Sequence, residues 1–209
     1  QNALRDEFLR WGMSGIQVII LPGNHDQYEL QGRNALEVFT HLPNVKVYTE
    51  PTWDGYGLWI PYRKDPQDIQ KSLNTPGSGP GNLFLHHGIK GSWMNDNVQD
   101  SEGLELSQFK GWNNIFLGHY HKFQQVGGVR CWYIGSPWQT GINEAGQPKG
   151  YCVWNGDDLE FVPRFWGPRI HKIELRAGET LDLTGVRLGD EIRVTTVGAN
   201  AEKDAERVG

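Results

Sequence analysis

The chain has 209 residues, 37% hydrophobic and 22% charged, which allows a packed core and excludes a wholly disordered chain. A net charge of −5 excludes grip on nucleic acid through a generally basic surface, although bound divalent cations add positive charge that a residue count omits. No apolar run is long enough for a membrane span, so no membrane partner is expected; the chain begins Gln1-Asn2-Ala3 without an initiator Met, so the lack of a signal-peptide pattern counts for little, and a cytoplasmic protein is the expectation.

Residues 3–13 have helical spacing, with Leu4, Phe8 and Trp11 on one face and Gly12 and Gly15 as the stop. Residues 16–21 (IQVIIL) predict a strand buried on both faces, broken by Pro22-Gly23-Asn24-His25-Asp26. A helix near 33–41, strands at 45–50 and 57–62, and a helix at 66–73 follow, then a Gly- and Pro-rich loop at 75–81. Asn82–Leu85 predicts a strand that runs directly into His86-His87-Gly88, and Asn114–Leu117 one that runs into Gly118-His119-Tyr120-His121. From 129 onward the pattern is of short strands (129–134, 150–154, 159–165, 170–175), with a hairpin turn at 156–158. The reading is a layered α/β domain that ends in antiparallel strands. Residues 190–197 predict one more strand and 199–208 a polar helix, with the chain expected to stop inside a second, small domain.

Cys131 and Cys152 sit in strand-like runs without a C-x-x-C pair, so free thiols in a reducing compartment are expected. Nine Trp point first to core or interface mass.

Four of the seven histidines, His25, His86, His119 and His121, come straight after apolar strands. In open α/β sheets ligands bind at the carboxyl ends of strands. His119 and His121, two apart on an extended segment, point to the same side. Imidazoles together with the Asn24 amide oxygen form a mixed N/O set that suits Mn or Fe, and the lack of nearby Cys argues against structural zinc.

Gly23-Asn24-His25-Asp26, His86 after its strand, and Gly118-His119-Tyr120-His121 together resemble the last three sequence blocks of calcineurin-like metallophosphoesterases, over residues 16–140. Leu85-His86-His87-Gly88, His121-Lys122 and Tyr133-Ile134-Gly135-Ser136-Pro137-Trp138-Gln139, with the polar loop from Glu144 to Gly150, look like SbcD-type DNA repair nucleases and their phage relatives. Leu188–Val194 resembles the start of the small α+β cap that follows the nuclease domain in that group.

The resemblance implies a metallophosphoesterase fold, a β-sheet sandwich flanked by helices, over 1–176, and the start of a capping domain over 177–209. It implies two divalent ions, Mn2+ foremost with Fe, Zn, Ni or Mg as alternatives. Asn24, His86 and His119 would ligate one ion and His121 the other. His25 would face the scissile phosphate, oriented by Asp26, and Lys122 is the best placed cation for a substrate phosphate. His87 would be a neighbouring loop residue. The implied reaction is phosphodiester hydrolysis by a water activated between the metals. The implied partners are DNA, an SMC-like ATPase subunit and a second copy of the chain. Two other readings stay open: a phosphodiesterase acting on nucleotides or other small phosphoesters, and a non-enzymatic scaffold.

The family's first blocks, D-x-H and G-D-x-x-D, have no counterpart before Gly23. Asp6 lies in a helical setting, and Asp54 and Asp65 come too late in order. The chain is therefore expected to be truncated at its start as well as its end, to bind metal weakly and to have little activity alone. Arg33, Arg63, Lys64 and Lys110 read as solvated surface, Trp93 and Trp112 as packing before base stacking, and His41 and His171 as structural.

Overall fold

The computed structural model describes residues 2–27, 34–74, 81–164, 166–176 and 178–198. The polar helix expected at 199–208, Arg33 and most of the 75–81 loop lie outside them. The described residues form two compact units. The first comprises those of Gln1–Ser92, Gln99–Tyr120 and Gln124–Tyr133; the second those of Trp93–Val98, His121–Phe123 and Ile134 onward.

In the first unit, helix α1 (Asn2–Met13) buries Phe8 edge-on against Phe39, at 5.2 Å between ring centres, with Val45 beside them. Leu4 and Trp11, of the same predicted face, stay 43% and 38% exposed. Strand β1 (Val18–Ile20) pairs in parallel with β2 (Val45–Val47). β1 is half-buried rather than buried on both faces, because this two-stranded ribbon and the Phe8 cluster are its cover. The helix expected near 33–41 is a short 3-10 turn, Ala35–Phe39, opened by the Asn34 side chain accepting the Leu36 N–H.

The same unit holds a six-stranded sheet: β3 (Thr52–Trp53), β4 (Leu58–Ile60), β5 (Asn82–His86), β6 (Asn114–Gly118), β7 (Gln124–Gln125) and β8 (Cys131–Tyr133), in spatial order β3-β4-β5-β6-β8-β7. The four inner strands are parallel, and the two-residue edges β3 and β7 are antiparallel to their neighbours. Because side chains alternate across a sheet, the register sorts the residues by face. Trp59, Phe84, Phe116 and Trp132 stand side by side across four strands. Their rings stack in series at 3.7, 5.1 and 6.0 Å. The opposite face carries Ile60, Leu83, Leu85, Leu117 and Tyr133, and α2 (Pro66–Leu73), capped by Asp65, adds Ile69 to this core.

Tyr133 also fixes the loop after β5. Its hydroxyl accepts the Ile89 N–H at 2.7 Å and donates to the His87 carbonyl at 2.9 Å. Tyr133→Phe strands both groups and is expected to lower stability by about 1–3 kcal/mol, read as a shifted urea midpoint at unchanged slope.

In the second unit, β9 (Gly150–Trp154) and β10 (Leu159–Pro163) form the expected hairpin. The Asn155 side chain accepts the N–H groups of Asp157 and Asp158 in its turn, each at 2.9 Å. β11 (Ile170–Arg176) and β12 (Glu191–Val197) are parallel, so of the closing strands expected to be antiparallel the hairpin is so and β11 is not. A parallel pair needs a long return connection, and 177–190 supplies one. Asp190, entering β12, accepts the Arg169 N–H at 2.8 Å and faces His171 Nε2 at 2.9 Å, so both strands start at the same end.

Both cysteines are free, and burial pushes their thiols up to about 12 for Cys131 and about 11 for Cys152, so neither is ionised near neutral pH. Among the described residues no helix is long and apolar enough to cross a membrane.

Candidate metal centre

β5 and β6 are parallel with His86 opposite Gly118, so their carboxyl ends coincide. His86 is the last residue of β5 and His119 the first past β6. The exit of β1 joins them: the Pro22 carbonyl accepts the Tyr62 N–H at 3.0 Å, beyond the end of β4. There Asn24–Asp26 form a 3-10 turn, closed by the Gly23 N–H donating to Asp26 Oδ2 at 2.8 Å.

The turn aims Asn24 at the two histidines. Asn24 Oδ1 lies 3.0 Å from His86 Nε2 and 3.3 Å from His119 Nδ1, with the imidazole centres 5.5 Å apart. If those nitrogens carry protons, both donate to the one oxygen. If they present lone pairs, the same three atoms are donors facing a common centre. Ligands about 2.1 Å from one ion stand roughly 3 Å from each other, so the spacing fits a divalent cation. The set is neutral, and among the described residues no group of three or more His, Cys, Asp or Glu gathers at metal-binding distance.

Two glycines make room for His86. A Cβ on Gly23 would lie 2.5 Å from its Cε1, and one on Gly118 would lie 2.7 Å from its Nδ1. Among the described residues His119 is the non-glycine residue with positive φ, at 105°, a conformation that costs about 1–3 kcal/mol and marks functional sites more often than ordinary loops. Next to it the buried Tyr120 hydroxyl donates to Asp100 at 2.6 Å, and Asp100 also accepts the N–H groups of Glu102 and Gly103. Burial opposes the Asp100 charge, but these bonds and the nearby His119 outweigh it and hold the carboxyl below its ordinary range. The residue after His119 is thus pinned, which keeps the strained backbone in place.

The other expected site residues divide. His25 is exposed at the middle of the turn. Among the described residues Asp26 bonds to Gly23 rather than to the His25 ring, so it shapes the turn. His87 stacks on Tyr62 at 5.8 Å, as befits a loop neighbour. His121 belongs to the second unit, where its Nδ1 faces Glu144 Oε1 at 2.7 Å and Thr140 Oγ1 at 3.1 Å. With Nδ1–H donated to the carboxylate, Nε2 carries the lone pair; histidines that bind metal are oriented in this way. Lys122 pairs with Asp96 at 2.7 Å, so its charge is partly committed. Arg63 pairs with Glu50, and Trp112 packs on the core while Trp93 is 40% exposed.

The carboxylates weighed as substitutes have other duties. Asp6 pairs with Arg5, and Asp65 caps α2. Asp54 accepts from Tyr48, Trp59, Tyr56 and Gly57. Sequence reasoning missed Glu144 as a partner of His121, and Gly23 and Gly118 as walls for His86. The glycines were visible inside the blocks, but their purpose shows only once His86 lies between them.

No protein-family model matches the chain. Among curated proteins it is similar to exonuclease subunit 1 of Enterobacteria phage T4, 28% identical over 171 residues, covering 76% of this chain and 49% of the phage protein. The chain therefore spans about half the length of the curated relative it matches.

Proposed function

We propose that the chain is the metal-binding part of a DNA nuclease of the SbcD type, a calcineurin-like phosphodiesterase. The observation that carries the reading is the convergence of Asn24 Oδ1, His86 Nε2 and His119 Nδ1 at the ends of β1, β5 and β6. The likeness to a phage exonuclease subunit supports DNA as the substrate and a multi-subunit assembly, for which the SMC-like ATPase is the partner proposed. Asn24, His86 and His119 would hold one divalent ion, Mn2+ foremost. His121, oriented by Glu144, offers Nε2 to another.

Bound divalent cations would supply a water that ionises near neutral pH and a clamp for phosphate oxygens. The protein's share is position. The Gly23–Asp26 turn sets the Asn24 amide, the two glycines fix the His86 ring, and the Asp100–Tyr120 bond holds the backbone that carries His119. Exposed His25, next to Asn24, can donate a hydrogen bond to a phosphate oxygen or a proton to the leaving alkoxide.

The test is Mn2+ titration of the 209-residue chain, followed by hydrolysis of end-labelled duplex DNA and of a small phosphodiester. Expected are Mn2+ uptake that is weak because the donor set is neutral, and slow DNA cleavage that stops in EDTA and in His119→Ala. Cleavage that persists in EDTA, or equal Mn2+ uptake by wild type and His119→Ala, would sink the reading. Hydrolysis of the small ester with DNA left intact would assign a nucleotide-type phosphodiesterase instead.

A further inference from the structure

We propose that the second unit carries a stacking platform for single-stranded nucleic acid, built from Trp166, Trp138 and Tyr151 with Arg164, Arg169 and Arg187 around them. It rests on the nuclease reading and gives that reading a substrate form: an unpaired strand.

Trp166 is 63% exposed and Trp138 51%, unusual for side chains that normally fill cores. Trp166 lies flat against Tyr151, with ring centres 5.5 Å apart and planes within 2° of parallel, which leaves its other side to solvent. Trp138 lines the same depression, closely enough that a Cβ on Gly167 would meet its Cβ at 2.8 Å. Neither tryptophan lies in the three metal blocks, and Trp166 lies outside every block that carries the nuclease resemblance.

Charge accompanies the rings. The exposed Arg164 guanidinium lies 5.8 Å from the centre of Tyr151. Arg169 lines the depression, and Arg187 donates to the Gly167 carbonyl at 3.1 Å while also facing Asp190 at 3.5 Å. Among the described residues the lining contains Lys149, Arg164 and Arg169 and no carboxylate, in a chain of net charge −5. Lys149 is buried against Glu144, so the exposed Arg164 carries the charge offered to solvent.

The chemistry selects the occupant. The depression encloses about 20 Å³, room for one water, so it cannot engulf a small molecule and offers faces instead. Among the described residues no Leu, Ile, Val or Met lines it, which disfavours an apolar protein partner. Open π-faces beside guanidinium groups match bases and phosphates, and bases within a duplex hide their faces from side chains. An unpaired strand is the ligand that presents both.

The test is fluorescence anisotropy of a labelled oligo(dT) of about 12 nucleotides, long enough for one such platform, in EDTA so that no cleavage intervenes. Binding is expected, with a log–log salt slope of about −1.5 to −2 for two or three phosphate contacts. Trp166→Ala should weaken it about tenfold or more, the effect of losing one stacked base. Arg164→Ala should weaken it and flatten the slope by about 0.7. Trp53→Ala, an exposed tryptophan of the first unit, should leave it unchanged. Because Trp166 is so exposed, its truncation should keep the fold, checked by circular dichroism.

Wild-type affinity in both Trp166→Ala and Arg164→Ala would overturn the platform, as would a blunt duplex that binds as tightly as oligo(dT) and does not respond to Trp166→Ala. The two readings fail separately. If oligo(dT) binding depends on Trp166 while wild type and His119→Ala take up Mn2+ equally, the platform stands and the nuclease reading falls. If manganese supports cleavage and Trp166→Ala leaves oligo(dT) binding unaltered, the platform alone falls.

Discussion

Gly23→Ala, which adds one methyl group and removes no ligand, is expected to weaken Mn2+ binding by about 10–100-fold, the range seen when the groups that orient a metal ligand are disturbed. The backbone does not resist the change: Gly23 has φ −97°, which alanine adopts without strain. The obstacle is His86. The new Cβ would lie 2.5 Å from its Cε1 and 2.8 Å from Nε2, the nitrogen that faces Asn24, so the ring must turn or slide. Gly118 blocks the retreat, being already too close to Nδ1 for a side chain of its own. His86→Ala removes the donor and should cost at least as much. The decisive variant is Gly23→Ala combined with His86→Ala. With no imidazole to displace, the extra methyl should do nothing further, and the double variant should bind Mn2+ as poorly as His86→Ala alone. Calorimetric titration reads all four proteins. A Gly23→Ala variant with wild-type affinity, or additive losses in the double, would mean that Gly23 does not act through His86.

That pairing also shows what the sequence could and could not convey. The strands that carry the site were legible because short apolar runs bounded by breakers have few alternatives: Asn82–Leu85 and Asn114–Leu117 are β5 and β6, each with one residue more than expected. Helix α2 was legible to the residue, since Asp65-Pro66 is both a cap and a start. β3 and β7 were not, because two-residue edge strands owe their form to the neighbouring strand and have no periodicity of their own. The direction of β12 was hidden for a similar reason. A polar strand after a 177–190 connection can return either way, and the Asp190 bonds that decide it span the start of β11. At the site, residue types named Asn24, His86 and His119 as donors. Their distances, the strained backbone of His119 and the bond of Asp26 to Gly23 depend on chain segments far apart in sequence.

Glu144 is the other residue whose removal should have a large effect, and there the expected loss is of stability as well as function. Lys149, 4% exposed, places its Nζ 3.0 Å from Glu144 Oε2, while Glu144 Oε1 lies 2.7 Å from His121 Nδ1. Lys149 otherwise donates to the neutral His121 carbonyl and Gln147 amide. Glu144→Ala would leave a buried ammonium without its counter-charge, a change that costs about 3 kcal/mol, and should lower the denaturation midpoint accordingly. Combining Glu144→Gln with Lys149→Met removes both charges and should recover more than half of the loss. The pH dependence follows the same bonds. Burial alone would raise the Glu144 carboxyl, but donors from His121, the Thr140 N–H, Lys149 and the Thr140 hydroxyl outweigh it and hold the group at about 2, below its ordinary 4.5. Its contribution to stability is therefore complete above 4.5 and disappears as pH falls from there through about 2, and a Glu144→Gln protein should lack that component. Because the same carboxylate sets the His121 ring, Glu144→Gln should also weaken Mn2+ binding if His121 Nε2 is a ligand as proposed. A Glu144→Ala protein as stable as wild type, or a double variant no more stable than Glu144→Ala, would show that Lys149 finds its compensation elsewhere and that Glu144 serves His121 alone.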